Sequence, residues 1–250
     1  MASDYSGHSE KHSPLEQFEI IPFAHTEIGG YDISFTNSSL SMVITVAFIT
    51  LFLTLSVNTR SIIPSRMQLI SELIYNFVAQ LLSDTVGDEG RRYFPFVFTI
   101  FMFVLVGNML GMIPYSFTFT SHIIVTFALA AIVFIGVTIL GFVKHKLHFF
   151  SFFYIPGLPW YMLPLLIPIE VISYLSRPIS LSVRLFANML AGHTLLKVFA
   201  GFVISLGVAG FLPLAFIVAL TGLEILIAFL QAYVFAILTC LYINDALHLH

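Results

Sequence analysis

Apolar residues in this chain come in runs about as long as a lipid bilayer is thick, separated by short polar stretches. Residues 1–36 are polar and are predicted to form an extramembrane N-terminal segment. Met1 to Ser13 is polar and mildly acidic, unlike a cleavable leader, so the first apolar run is expected to be retained. That run, Leu40 to Val57, approaches the ~20 residues a helix needs to cross the hydrocarbon. Pro64 and Ser65 then mark a break and a helix start. Between Met67 and Val86 the pattern changes. Leu69, Leu73, Phe77 and Leu81 recur at helical spacing, while Glu72, Asn76, Gln80 and Asp84 are polar. This predicts an amphipathic helix over about 66–86, lying on the membrane surface. Spanning runs follow from Phe94 to Tyr115 and from Ile123 to Val143. The first carries Gly107 and Gly111, a spacing that permits close contact between helices.

Trp160 to Leu196 and Val203 to Tyr242 are each apolar for about 40 residues, roughly 60 Å if helical. That is about twice a bilayer core, so each is two short spans or one strongly tilted helix. The polar stripe described below favours single helices, forming a tilted hairpin over residues 160–243 with kinks at Pro178 and Pro213. The predicted fold is thus an all-α integral membrane protein with about five transmembrane helices plus one amphipathic surface helix. Residues 37–250 form a single membrane domain without a visible internal repeat.

Composition agrees. Of 250 residues, 58% are hydrophobic and 9% charged, with 27 Phe and a mean hydropathy of +0.98. A soluble domain carries about a quarter charged residues, so this chain lacks the charge to cover a water-facing surface. The net charge of −3 and the absence of a basic run exclude a nucleic-acid grip. Cys240 is the only cysteine, which rules out an internal disulfide or a cysteine zinc site. Placing Arg60, Arg66, Arg91, Arg92, Lys144 and Lys146 on one side satisfies the positive-inside rule. The N-terminus is then outside and the C-terminus inside.

Ionisable residues in the two long segments are few: Glu170, Arg177, Arg184, His193, Lys197 and Glu224, with Asn188 and Gln231 as polar companions. A charge at the bilayer centre costs about 3 kcal/mol or more, so such groups face a bundle interior, a partner or water. At about 100° per residue, Glu170, Ser173, Arg177, Ser180 and Asn188 all fall within about 40° of Arg184. One helix face therefore carries a continuous polar stripe. His193 lies about 180° from Arg184, and Glu224 shares a face with Gln231. Blander readings stand beside these. Arg177 and Lys197 suit snorkelling to headgroups, Glu170 suits a helix N-terminal charge beside Pro168, and Ser173, Ser180 and Asn188 suit interhelical hydrogen bonds. His193 with Glu224 suits a buried structural pair. Arg184 has no such reading: it sits mid-segment with no carboxylate three or four residues away, so its partner has to come from elsewhere. Nucleotide, dinucleotide and zinc-protease motifs are missing, and no cofactor is indicated.

The run Ser180-Leu181-Ser182-Val183-Arg184-Leu185-Phe186-Ala187-Asn188-Met189-Leu190-Ala191-Gly192-His193 resembles the signature of the a subunits of F-type ATP synthases. Gly107 through Phe117 and Leu230-Gln231-Ala232-Tyr233 resemble that family too, so the likeness covers most of the chain. It implies the proton-translocating stator of a rotary motor, with no catalytic site in this chain. The partners implied are a ring of c subunits bearing carboxylates, the peripheral stalk b subunits, other ATP synthase subunits, the lipid bilayer and protons. Arg184 matches the essential arginine facing the ring. Asn188 and Gln231 match its interface, and Glu170 the inner half-channel. His193 and Glu224 match a pair in the outward half-channel, with Arg177, Ser173 and Ser180 as secondary members of the stripe. The His-then-Glu order, Thr120-Ser121-His122 and Asn244-Asp245-Ala246 are similar to alphaproteobacterial or mitochondrial members, implying a bacterial or mitochondrial inner membrane. Against this stand a self-contained channel or transporter using the Arg184 stripe for selectivity, and a purely structural respiratory subunit, which leaves Arg184 without a task.

Overall fold

A computed structural model of the chain describes residues 18–24, 27–28, 31–32, 34–57, 65–113, 116–146 and 163–248. Arg60, Pro64, Pro114, Tyr115, Trp160 and His250, and residues 1–17 of the N-terminal segment, lie outside them. Six helices dominate: α1 Asn37–Val57, α2 Arg66–Val86, α3 Phe94–Gly111, α4 Ile123–His145, α5 Leu163–Ser205 and α6 Phe211–Leu247. Two short antiparallel pairs precede them, β1 Pro22–Ala24 with β4 Phe35–Thr36 and β2 Glu27–Ile28 with β3 Tyr31–Asp32. Among the described residues, all helices except α2 are long and apolar enough to cross a membrane, giving five spans. Helices are the form such segments take, because they satisfy every backbone hydrogen bond internally where no water is at hand.

The spans turn apolar side chains outward and small or polar ones inward. In α1, Ser38, Thr45 and Ser56 are buried while Val43, Phe48 and Leu51 are exposed. Ser56 donates to the Met67 carbonyl at 3.1 Å and meets the Ser71 hydroxyl, pinning the end of α1 to α2. Ser65 caps α2 by accepting from the Gln68 amide, and Gly87, at φ +78°, ends it in a conformation that L side chains rarely adopt. The amphipathic pattern of α2 holds, with Glu72, Asn76, Gln80 and Asp84 exposed. Its fully buried residues are Val78, Leu82 and Val86, however; Leu69 and Leu73 stay exposed, while Phe77 meets the rings of Phe101, Phe229 and Tyr233.

The second half of α6 is the centre of the bundle and packs on α2, α3, α4 and α5. Ala228, Ala232, Ala236 and Cys240 recur every fourth residue and are wholly buried. Small side chains at that spacing let helix backbones come close. Gly107 and Gly111 do serve close packing, but not with another helix. The side chains of Phe119 and Thr118, around the 3₁₀ turn Phe119–Ser121, occupy the space their Cβ atoms would fill.

Both long segments are single continuous helices. Their bounds differ from those expected: α5 continues through Lys197 and Val203 to Ser205, and α6 starts only at Phe211 and ends at Leu247. Gly207, at φ +55°, makes the reversal between them. Pro168 and Pro178 lie inside α5. Pro213 sits in the first turn of α6, where an amide hydrogen has no helical acceptor to lose, so the kink expected there has no cause.

Candidate functional site

Helix α5 meets its neighbours through Pro178, Leu181, Ser182, Leu185 and Met189. At about 100° per residue that face is centred roughly 110° from Arg184. Ser173, Ser180 and Arg184 are consequently exposed on the outer surface, with Glu170, Arg177 and Asn188 half-buried at its margin. Because α5 does not break, the stripe is one continuous surface. Ser182 would sit in a water-exposed turn if the segment were two upright spans; it is 1% exposed within the helix.

Three arrangements divide the stripe. Towards its start, Arg177 Nη1 lies 2.9 Å from Asp245 Oδ2 on α6. The guanidinium also stacks over the rings of Tyr174 and Tyr242, at 5.4 and 5.1 Å from their centres. Tyr174 is fixed in turn by a 2.7 Å hydrogen bond with Thr138 of α4. Arg177 therefore finds its counter-charge inside the chain. Glu170, about 10 Å further back along the axis, has no ion pair among the described residues.

In the middle, about 10 Å beyond Arg177, Arg184 makes no hydrogen bond or ion pair with the described residues and is open on the chain's surface. A permanently charged guanidinium on an apolar helix surface requires an acceptor from outside.

Past Arg184 a cavity of about 140 Å³ opens between α5 and α6, lined by Asn188, Gly192, His193, Glu224 and Met112 among others. Gly192 makes the room: a Cβ there would lie 2.6 Å from Glu224 Oε1. Both carboxylate oxygens of Glu224 are buried without a hydrogen-bond partner among the described residues. Buried polar atoms in that condition are satisfied by water where space allows, and a water needs only ~10–15 Å³ of such volume. His193 shares the cavity but forms no ion pair with Glu224. Its Nε2 lies 3.3 Å from the Thr118 hydroxyl, and Phe18 meets its ring edge-on at 6.4 Å. Gln231, two turns beyond Glu224 on α6, is buried in the helix packing.

The family model for the ATP synthase A chain matches residues 39–244, most of the chain and all of both clusters but Phe18 and Asp245. The chain belongs to the ATP synthase A chain family. Among its relatives, the ATP synthase subunit a of Pelagibacter ubique (strain HTCC1062) is 62% identical over 240 residues, covering 95% of this chain and 98% of that one. The corresponding protein of Chelativorans sp. (strain BNC1) is 61% identical, covering 94% and 97%. That of Rhodospirillum rubrum is 57% identical, covering 96% and 100%. These relatives are mostly alphaproteobacterial, so the resemblance drawn from the Arg184 segment holds, as does its subtype.

Thr118, Gly192 and Asp245 also belong to these clusters, with no chemical role legible from the sequence. Gly192 lies inside the Arg184 motif, and a glycine beside a histidine in a membrane helix is a signal for close approach. Asp245 lies in the closing Asn244-Asp245-Ala246. Its pairing with Arg177, 68 positions earlier, has no local trace. Among the described residues, Asn108, wholly buried, has both amide atoms unpartnered, and Thr120 Oγ1 and His122 Nε2 are unpartnered too.

Proposed function

We propose that this chain is the proton-translocating stator subunit of an ATP synthase Fo sector, in a bacterial inner membrane. The single observation that carries the reading is Arg184, an unpaired cation on the open face of α5 between two polar clusters. A ring of c subunits, each with a membrane-embedded carboxylate, supplies the missing acceptor. A guanidinium carries a fixed positive charge, so Arg184 attracts an ionised ring carboxylate and disfavours passage of a neutral one. Protons then enter by one half-channel, ride the ring and leave by the other. His193 and Glu224 form the outward half-channel and exchange protons through cavity water, while Glu170 belongs to the inner one. Asn188 borders the ring contact, with Ser173, Arg177 and Ser180 completing the stripe, and Gln231 supports that face from within the helix packing. Each charge crossing ~100 mV releases about 2.3 kcal/mol, which drives rotation.

Orientation follows from charge. His145 Nε2 lies 3.2 Å from the Leu247 carbonyl, and Lys144 bonds Glu89 at 2.7 Å, so Arg91, Arg92, Lys144 and the end of α6 share one end of the bundle. By the positive-inside rule that end is cytoplasmic, and the N-terminal segment, residues 1–36, is outside. The peripheral stalk b subunits and the remaining subunits attach around the membrane domain.

The test is Arg184→Ala in membranes carrying the assembled complex. Proton-driven ATP synthesis is expected to vanish while the c ring remains associated. Near-normal synthesis overturns the reading, and proton conduction by the isolated chain would favour a self-contained channel instead.

A further inference from the structure

Helix α3 ends at Gly111, where the last carbonyls have no partner within the helix. Thr118 reaches back and donates its hydroxyl hydrogen to the Gly111 carbonyl oxygen at 3.0 Å. A Cβ at position 111 would meet Thr118 Cγ2 at 2.6 Å and Oγ1 at 2.7 Å, so glycine admits this contact. The same hydroxyl oxygen lies 3.3 Å from His193 Nε2. A hydroxyl owns one hydrogen and two lone pairs. With that hydrogen committed to a carbonyl, which only accepts, the hydrogen between Thr118 and His193 has to belong to Nε2.

We infer that Thr118 is a positioning residue for proton transfer at His193: it holds the ring as the Nε2–H tautomer and leaves Nδ1 to take and give the proton. This rests on the half-channel role proposed for His193. Nδ1 has no hydrogen bond among the described residues, and the ring borders the cavity that holds the Glu224 carboxylate. A proton arriving from water at Nδ1 makes an imidazolium whose Nε2–H still points at Thr118. Its departure from Nδ1 restores the starting tautomer, and nothing but that proton has moved. The opposite tautomer would set the Nε2 lone pair against a lone pair of the hydroxyl, which is repulsive. Among the described residues, the titratable groups on elements around His193 are Glu224 of α6, Lys197 one turn further along α5, His122 after the 3₁₀ turn, and Glu19 beside Phe18. The hydroxyl of Thr118 is the group that touches the ring nitrogen.

The test follows ATP-driven proton pumping against pH in inverted vesicles carrying the whole synthase. Thr118→Val keeps the branched shape and removes the hydroxyl; Thr118→Ser keeps the hydroxyl. Without its acceptor the imidazolium loses a charge-assisted hydrogen bond, worth about tenfold in the protonation equilibrium. The Thr118→Val profile is therefore expected to move about one pH unit towards acid, with Thr118→Ser on the wild-type curve. A Val profile lowered at every pH without displacement overturns the inference, as does a Ser profile displaced as far as Val. Thr118→Ala carries the same expectation if Thr118→Val fails to assemble. Failure of both, with Thr118→Ser normal, makes the hydroxyl a folding element and overturns the role equally. Arg184→Ala runs in parallel. Normal pumping there defeats the proposed function itself, whereas an undisplaced Val profile beside an inactive Arg184→Ala removes only the role of Thr118.

Discussion

Adding one methyl group at Gly192 tests whether the seat of Glu224 matters for transport or merely for packing. In Gly192→Ala the new Cβ would stand 2.6 Å from Glu224 Oε1, 3.2 Å from Cδ and 3.3 Å from Cγ. Ordinary contact begins near 3.4 Å, so the carboxylate oxygen has to withdraw by about 0.8 Å. It is the far end of a flexible side chain with a cavity of about 140 Å³ beside it, so it has room to move. The helix gains about 0.8–1 kcal/mol from replacing glycine with alanine, which offsets most of the crowding. Net stability is thus expected to change by no more than about 1 kcal/mol. Transport is another matter, because displacing a proton-transfer group by ~1 Å can cost about 100-fold. The assay is ATP-driven pumping in inverted vesicles, normalised to assembled complex on native gels. Gly201→Ala, in the same helix with nothing within 4 Å, supplies the comparison. Shortening the carboxylate in the Gly192→Ala, Glu224→Asp double variant is expected to recover part of the loss through direct coupling. Gly192→Ala pumping as fast as Gly201→Ala would refute the reasoning.

Arg184→Lys is expected to fail in ATP synthesis much as Arg184→Ala does, because an ammonium loses its proton in an apolar site and lacks the planar fork; synthesis above about a tenth of wild type would count against that. Arg177→Asp is expected to lower the yield of assembled complex by opposing Asp245, and adding Asp245→Arg to restore it, as read on native gels. No recovery in the double variant would mean the pair does not hold α5 to α6. On the exposed end of the bundle, the hydrogen bond and charge of Lys144 hold the Glu89 carboxyl below its ordinary 4.5. A depressed carboxylate stabilises the fold fully above the unfolded value and loses that contribution as pH falls through the folded one. Protection of the Asp88–Tyr93 amides, taken against the intrinsic exchange rate at each pH, should therefore fall below about pH 4.5 in wild type and be low at all pH in Lys144→Ala; unchanged protection in that variant would show the contact to be incidental.

What the sequence determined by itself was whatever depends on a residue and its near neighbours. Run length decides whether a helix can span, so five spans and the amphipathic helix over 66–86 were legible from apolar periodicity alone. Continuity of α5 was legible as well, because a stripe from Glu170 to Asn188 keeps one direction only on an unbroken helix. The isolation of Arg184 could be read from the lack of a carboxylate within a turn of it. Only the tertiary structure decided which groups meet across helices. Arg177 finds Asp245, Thr118 finds His193, and Glu224 occupies the space left by Gly192. It also decided that Gly107 and Gly111 receive a turn, and that α2 turns Val78 and Leu82 inward and leaves Leu69 and Leu73 outside. The physical reason is common to all of these. In a membrane, lipid and protein interior are equally apolar, so hydrophobicity does not say which face of a helix looks inward. That choice falls to shape and to scattered polar partners, which are far apart in the chain and come together only when the helices pack.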